Sequence, residues 1–143
     1  MRAAVAAAAL LLAACPGVLR PLEKPTVELQ RAELVGAGLS GLELRAHFVM
    51  TNPNNVRLPL VAVDWELSIG RASPVRGRAD LAAEIPAKGS APVVVDVHVG
   101  PGAAIGLVRA VSAGERTYHL AGTLHFDTKL GDIAVAFDET GAL

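Results

Sequence analysis

Residues 48–69 read Phe-Val-Met-Thr-Asn-Pro-Asn-Asn-Val-Arg-Leu-Pro-Leu-Val-Ala-Val-Asp-Trp-Glu-Leu-Ser-Ile. The stretch is the end of one apolar-alternating strand, a corner on Asn52-Pro53-Asn54, and a second alternating strand that carries the only tryptophan. Asn side chains bond to backbone two residues on, and Pro53 lacks the N–H that a strand ladder needs, so pairing stops at the corner. Beyond it Val63, Trp65, Leu67 and Ile69 fall on one face, with Ala62, Asp64, Glu66 and Ser68 on the other. Two apolar faces joined by a polar corner make half of a sandwich core.

The same period of two extends outward on both sides. Upstream, Leu42, Leu44, Ala46, Phe48 and Met50 point inward, with Glu43, Arg45 and His47 outward. Before them Thr26 to Leu34 forms a first strand, polar enough at Glu28, Gln30 and Arg31 for a sheet edge, and Gly36, Gly38 and Gly41 break it from the next. Downstream, Gly70 to Pro74 is a turn, Val75 to Arg78 a weak strand, and Asp80 to Ile85 either strand or extended loop. The turn Pro86 to Ser90 leads to Val93, Val95, Val97 and Val99, the purest alternation in the chain.

Gly100-Pro101 opens the one helical candidate, where Ile105, Val108 and Val111, with Leu107, form a stripe that Gly114 ends. Two strands close the chain, one with Tyr118, Leu120, Leu124 and Phe126 inward, the other with Ile133, Val135 and Phe137. Seven strands and one short helix predict an all-β chain folded as a two-sheet antiparallel β-sandwich. An eight-stranded barrel fits less well, because a helix interrupts the meander.

Length and composition agree. A chain of 143 residues makes one core, and a domain of that size buries roughly two thirds of its unfolded surface, so it requires neither disulfide nor metal. Formal charge is −1 with scattered cations and few aromatics, which gives nucleic acid neither a basic stripe nor stacking platforms.

The first residues carry an address. Met1-Arg2 is followed by a run without polar residues from Ala3 to Ala14, shorter than the roughly 20 residues a bilayer requires and suited to a secretory signal. It ends Leu12-Ala13-Ala14-Cys15, which resembles the bacterial lipobox. That resemblance implies cleavage before Cys15 and acylation of its thiol and amine, giving the two or more acyl chains that stable anchoring needs. An Ala-rich signal with a chance cysteine is the plainer alternative, but it leaves an odd thiol in a secreted chain. The expected organisation is residues 1–14 signal peptide, 15–24 lipidated cysteine and tether, and 25–143 sandwich domain. No Asp follows Cys15, so the expected location is the outer membrane of a bacterial envelope, on its periplasmic face.

Three segments in order carry a family resemblance: Thr51-Asn52-Pro53-Asn54-Asn55 with Leu58-Pro59-Leu60, then Ile85 to Ser90, then Tyr118 to Leu124. Together they resemble the WHy (water stress and hypersensitive response) domain of the group 2 late-embryogenesis-abundant proteins, over about Pro25 to Glu139. The resemblance implies a fibronectin-III/immunoglobulin-like sandwich with a helix. It also implies a non-enzymatic, stress-protective role in desiccation or cold, in which client or envelope proteins are bound or shielded. The alternative is an envelope assembly module that holds one partner at a sandwich edge or loop end.

No active site can be assembled from the residues. Asn52, Pro53 and Asn54 read as a structural corner whose side chains satisfy loop backbone groups, with a binding loop at one end of the sandwich as the alternative. His119, His125 and Asp127 share a parity, but six strand residues hold the two histidines about 20 Å apart; His125 with Asp127, or His47 with His98, supplies at most two metal ligands. Ser40 in Gly-Leu-Ser-Gly lacks the nucleophile-elbow context. The expectation is therefore no catalytic residue, cofactor, metal or small-molecule substrate, with Cys15 as the lipidation site. The helix reads as a plug over the sandwich end, not as a membrane contact, since Arg109 is its only charge.

Overall fold

Alternation at a period of two buries one face of each strand, and two such faces stacked together form the core. In the computed structural model, which describes residues 21–143, this happens seven times. The strands are β1 Thr26–Gly38, β2 Gly41–Thr51, β3 Leu58–Ile69, β4 Val75–Ile85, β5 Ser90–Val99, β6 Thr117–Thr128 and β7 Gly131–Ala142, with helix α1 at Pro101–Ser112 between β5 and β6. A three-stranded sheet in the order β1-β2-β5 faces a four-stranded sheet in the order β4-β3-β6-β7, with every pairing antiparallel. This is the expected sandwich of fibronectin-III type. The expected signal peptide, Cys15 and the first part of the expected tether lie outside the described residues.

The core is the set of inward residues expected from periodicity: Leu42 to Met50 on β2, Val63 to Ile69 on β3, the four valines of β5, and Tyr118 to Phe126 on β6. Phe48 and Phe137 meet edge to face across the two sheets at 5.3 Å, a geometry that adds about 1 kcal/mol beyond burial. Trp65 stands opposite glycines on both neighbouring strands, Gly77 on β4 and Gly122 on β6. Its indole ring occupies the place where a side chain at Gly77 would begin.

Three local expectations are corrected, and one left open, Asp80 to Ile85, is decided as strand. The break between β1 and β2 falls at Leu39-Ser40, so Gly36 and Gly38 lie inside β1, with a register shift just before Gly36. Residues Val75 to Ile85 are one continuous edge strand, because paired β3 supplies the ladder that a weak apolar pattern does not announce. On β3 a register shift between Leu60 and Ala62 leaves Val61 pointing out; Leu58 and Leu60 then face inward with the Val63 set, and Ala62 is buried too. Finally, α1 buries Ala104, Leu107 and Ala110, while Ile105, expected inward, is exposed and Val108 and Val111 are only half-buried. The helix is apolar nearly all round, so side-chain size decides its face: a filled sandwich end accepts alanines more closely than β-branched residues.

Candidate functional site

The two ends of the sandwich differ in chemistry. One holds the β2–β3 corner, the β4–β5 turn, the β6–β7 turn and the incoming chain; the other holds the β1–β2 hairpin tip and α1. About 35 Å separates them, from the eleven residues of β2 at the rise of a strand.

At the first end the Asn52-Pro53-Asn54 side chains are spent inside the fold. Asn52 is 1% exposed; its Nδ2 donates to the carbonyls of Val56 (2.7 Å), Pro86 (3.1 Å) and Ile85 (3.3 Å). Its Oδ1 accepts from Asn54 N–H at 2.9 Å and from Asn54 Nδ2 at 3.0 Å. Backbone bonds complete the corner, Asn52 N–H donating to Gly89 O and Lys88 N–H to Asn54 O. The second of these helps hold Lys88 at φ +53°, a left-handed conformation unusual for lysine.

Asn54 does something the sequence did not announce. Glu23 N–H donates to its Oδ1 at 2.7 Å, and its Nδ2 donates to Glu23 O at 2.7 Å. The amide thus imitates a strand partner and clamps the incoming chain to the corner from 31 residues away. No local signal could have found this pair. The structural reading of the corner follows from these contacts: Asn52 and Asn54 are buried donors and acceptors, and Pro53, half-buried, carries no N–H to satisfy.

The histidines do not gather. Each faces a carboxylate instead: His47 Nε2 with Glu33 (2.9 Å), His98 with Glu43 (3.5 Å), His119 with Asp138 (2.6 Å) and His125 with Asp64 (2.7 Å). Strands β2 and β5 do pair, but their register sets His47 opposite Val94 and His98 opposite Glu43, so the two histidines never meet. His125 turns toward β3 and away from Asp127. Among the described residues no three His, Cys, Asp or Glu side chains converge as a metal site. The hydrogen bond from His47 holds the Glu33 carboxyl below the usual range, and that from His125, helped by Arg78, does the same for Asp64. Burial pushes the Tyr118 phenol up. Ser40 occupies the exposed hairpin turn.

Several grooves of a few hundred Å³ mark the surface of the described residues. One of about 600 Å³ crosses the outer face of the larger sheet, over the backbone of Trp65 and between rows of charged side chains. Those charges answer one another, Arg76 with Glu66 and Arg78 with Asp64. A second, of about 450 Å³, lies at the corner end beside Arg57, Glu84, Lys129 and Leu130. The third, of about 630 Å³, lies at the opposite end between α1 and the β1–β2 tip, and its walls are Leu39, Pro101, Ile105 and Val108, with Arg109 at the rim.

A family model described as "Late embryogenesis abundant protein" matches residues 47–141. No curated protein sequence matches the chain. Among solved structures, an Arabidopsis thaliana protein is similar with a TM-score of 0.66 at 20% identity, over 89% of this chain and 85% of its own. A late embryogenesis abundant protein solved in solution aligns with a TM-score of 0.61 at 20% identity, over 84% of this chain and 70% of its own. A protein from Archaeoglobus fulgidus aligns with a TM-score of 0.58 at 10% identity, over 86% and 96%. At these identities the likeness is one of fold.

Proposed function

The chain belongs to the late embryogenesis abundant family, and from that premise we propose that it is a non-enzymatic, stress-protective protein of the bacterial envelope. It is held to the membrane by acyl chains on Cys15, and it shields client proteins during drying or cold. The observation that carries the role is the family match over residues 47–141. The anchoring reading draws support from the Glu23–Asn54 clamp, which fixes the incoming chain to one end of the sandwich eight residues after Cys15. A tether that short, gripped at its exit, presents the domain end-on instead of leaving it adrift.

Two measurements test the reading. Mass spectrometry of the protein from its native membrane should find Cys15 acylated and N-terminal, and Cys15→Ser should release it to the soluble fraction. A free thiol behind an intact Met1 would end the lipoprotein reading. Light scattering of an aggregation-prone enzyme through freeze–thaw should fall as the protein is added; no protection at equimolar amounts would end the protective reading.

One observation favours a second reading, an assembly module that accepts a partner's strand. Strand β7 pairs with β6 over twelve residues without a register shift and ends its sheet, as β5 ends the other sheet over ten, whereas the edge strand β1 is bulged twice. A single protein that co-purifies with the anchored form, combined with no effect on aggregation, would select it.

A further inference from the structure

We propose that the free edge of β7 accepts a basic β-strand of another polypeptide, one that alternates apolar residues with lysine or arginine. This deepens the strand-accepting reading by naming the edge and the partner's chemistry, and it rests on that reading.

The register says which backbone groups are free. Leu143 N–H donates to the Arg116 carbonyl at 2.7 Å, and the β6–β7 pairing runs on from there without a shift. In an antiparallel ladder the residues that bond to a given neighbour alternate, so Ile133, Val135, Phe137 and Glu139 turn their N–H and C=O toward β6. Asp132, Ala134, Ala136, Asp138 and Thr140 turn theirs away from the sheet, and all of these are exposed. Donors and acceptors spaced about 7 Å apart along an unbulged strand are matched by another strand. Ala134 and Ala136, in the middle, put little bulk beside that ladder.

Each of the other edges carries a device that blunts pairing. Strand β1 shifts register twice, and β4 bears Arg76, Arg78, Asp80 and Glu84. On β5 the device is a single residue. Asn52 N–H donates to the Gly89 carbonyl, so by the same alternation Ser90, Pro92, Val94 and Asp96 face away from β2. Pro92 has no N–H to offer, which leaves a gap in the free ladder of β5. Strand β7 has no proline, no bulge and no cation.

Charge chooses the occupant. Strand β7 bears Asp132, Asp138 and Glu139. Asp132 lies opposite Asp127 of β6, a like-charged pair that weakens a sheet until a cation answers it. Arg78 and His125 line the same shallow groove, but both are bonded to Asp64, at 3.2 and 2.7 Å. A lysine or arginine opposite Asp132 on an added strand would share a face with both carboxylates. A second copy of the chain does the reverse. Its own β7 would set further copies of Asp132, Asp138 and Glu139 along the junction, with no cation on either strand.

The test is amide hydrogen exchange, followed by nuclear magnetic resonance on the whole chain, with a short peptide alternating valine and lysine. A twin alternating valine and glutamate serves as the control. The lysine peptide should bind saturably and slow exchange at Ala134, Ala136 and Asp138, while Val135 and Phe137, already bonded to β6, stay as they were. The glutamate twin should bind about tenfold more weakly. Ala136→Pro removes an outward N–H and none that β6 uses, so it should keep the wild-type melting curve and weaken the lysine peptide about tenfold. Asp127→Asn with Asp132→Asn should cut the preference for lysine over glutamate to about threefold. If the proline variant does not fold, the wild-type exchange pattern and the asparagine pair still decide.

Equal binding of the two peptides overturns the proposal. So does protection that appears on β5 or β1 in place of β7, or a wild-type dimer joined through β7, which would make a second copy the occupant. Co-purification separates this claim from the reading beneath it. A partner protein retained by a folded Ala136→Pro variant sinks the β7 edge and spares the strand-accepting module. The absence of any co-purifying partner, with the lysine peptide still protecting Ala134 and Ala136, sinks the module and spares the edge.

Discussion

Replacing Asn52 by alanine should be among the most damaging single changes at the surface-facing ends of the molecule. The side chain answers three carbonyls and, through Oδ1, two groups of Asn54. The carbonyls of Val56 and Pro86 are partly reachable by water, but the Ile85 carbonyl contact and the Asn54 N–H contact are buried. A buried polar group left without a partner costs about 1–3 kcal/mol, so two of them cost about 3–4 kcal/mol together. That is a large share of the roughly 5–15 kcal/mol that holds such a domain, and it corresponds to a fall in Tm of about 12–15 °C. Asn52→Asp should be worse still, because it sets a carboxylate against carbonyl oxygens. Asn54→Ala should cost only about 1–2 kcal/mol, since its bonds to Glu23 are partly exposed, and should free the first described residues to proteolysis while the core stays protected. The two asparagines bond to each other, so the double variant should lose less than the sum. Urea unfolding followed by the single tryptophan measures all four variants. An Asn52→Ala loss under about 1 kcal/mol, or strict additivity with Asn54→Ala, would refute the account of the corner as a buried, coupled network.

Gly77→Ala should push the Trp65 ring off its seat and cost about 1–3 kcal/mol, visible as a changed near-ultraviolet dichroism of the only tryptophan. Gly122→Ala should be worse, because its side chain would meet the Asp64 carbonyl, a backbone group that cannot step aside, and soluble expression should drop. The lowered carboxyls of Asp64 and Glu33 contribute stability that is present above the unfolded carboxylate range and lost as pH falls through their folded values. Asp64→Asn with Glu33→Gln should therefore flatten the acid limb of a melting-temperature profile below about pH 4.5. Tyr118 has the opposite sign: its raised phenol favours the folded state below about pH 10, and that advantage should disappear as pH rises through the folded value, with Tyr118→Phe abolishing the loss.

The legible part of the fold was whatever depends on a period of two. Val93 to Val99 and Leu42 to Met50 declare their inward faces residue by residue, and the structure buries each of them. A strand's face is set by parity alone, so it survives without knowledge of the partner strand. Parity failed where a single residue was inserted: nothing in Leu60-Val61-Ala62-Val63 says that Val61 bulges out, because all four are apolar. It also failed on α1, where apolar residues lie on every side and the inward face is chosen by the space left at the sandwich end. The corner was legible as a corner from its Asn-Pro-Asn composition. Its grip on Glu23 was not, since that pairing depends on where a chain 31 residues earlier enters the fold.

The edges and ends of the sandwich differ in how open they are to another chain. A sandwich offers unpaired edges, which invite strand addition and aggregation. Strand β1 carries two bulges, and β4 carries Arg76, Arg78, Asp80 and Glu84, so these two edges are poor templates, whereas β5 and β7 end their sheets without a register shift. The buried polar side chains of the corner are committed to internal hydrogen bonds, and among the described residues none is left without a partner. Exposed apolar side chains stand at both ends of the sandwich, Leu39 and Ile105 at one and Leu130 at the other.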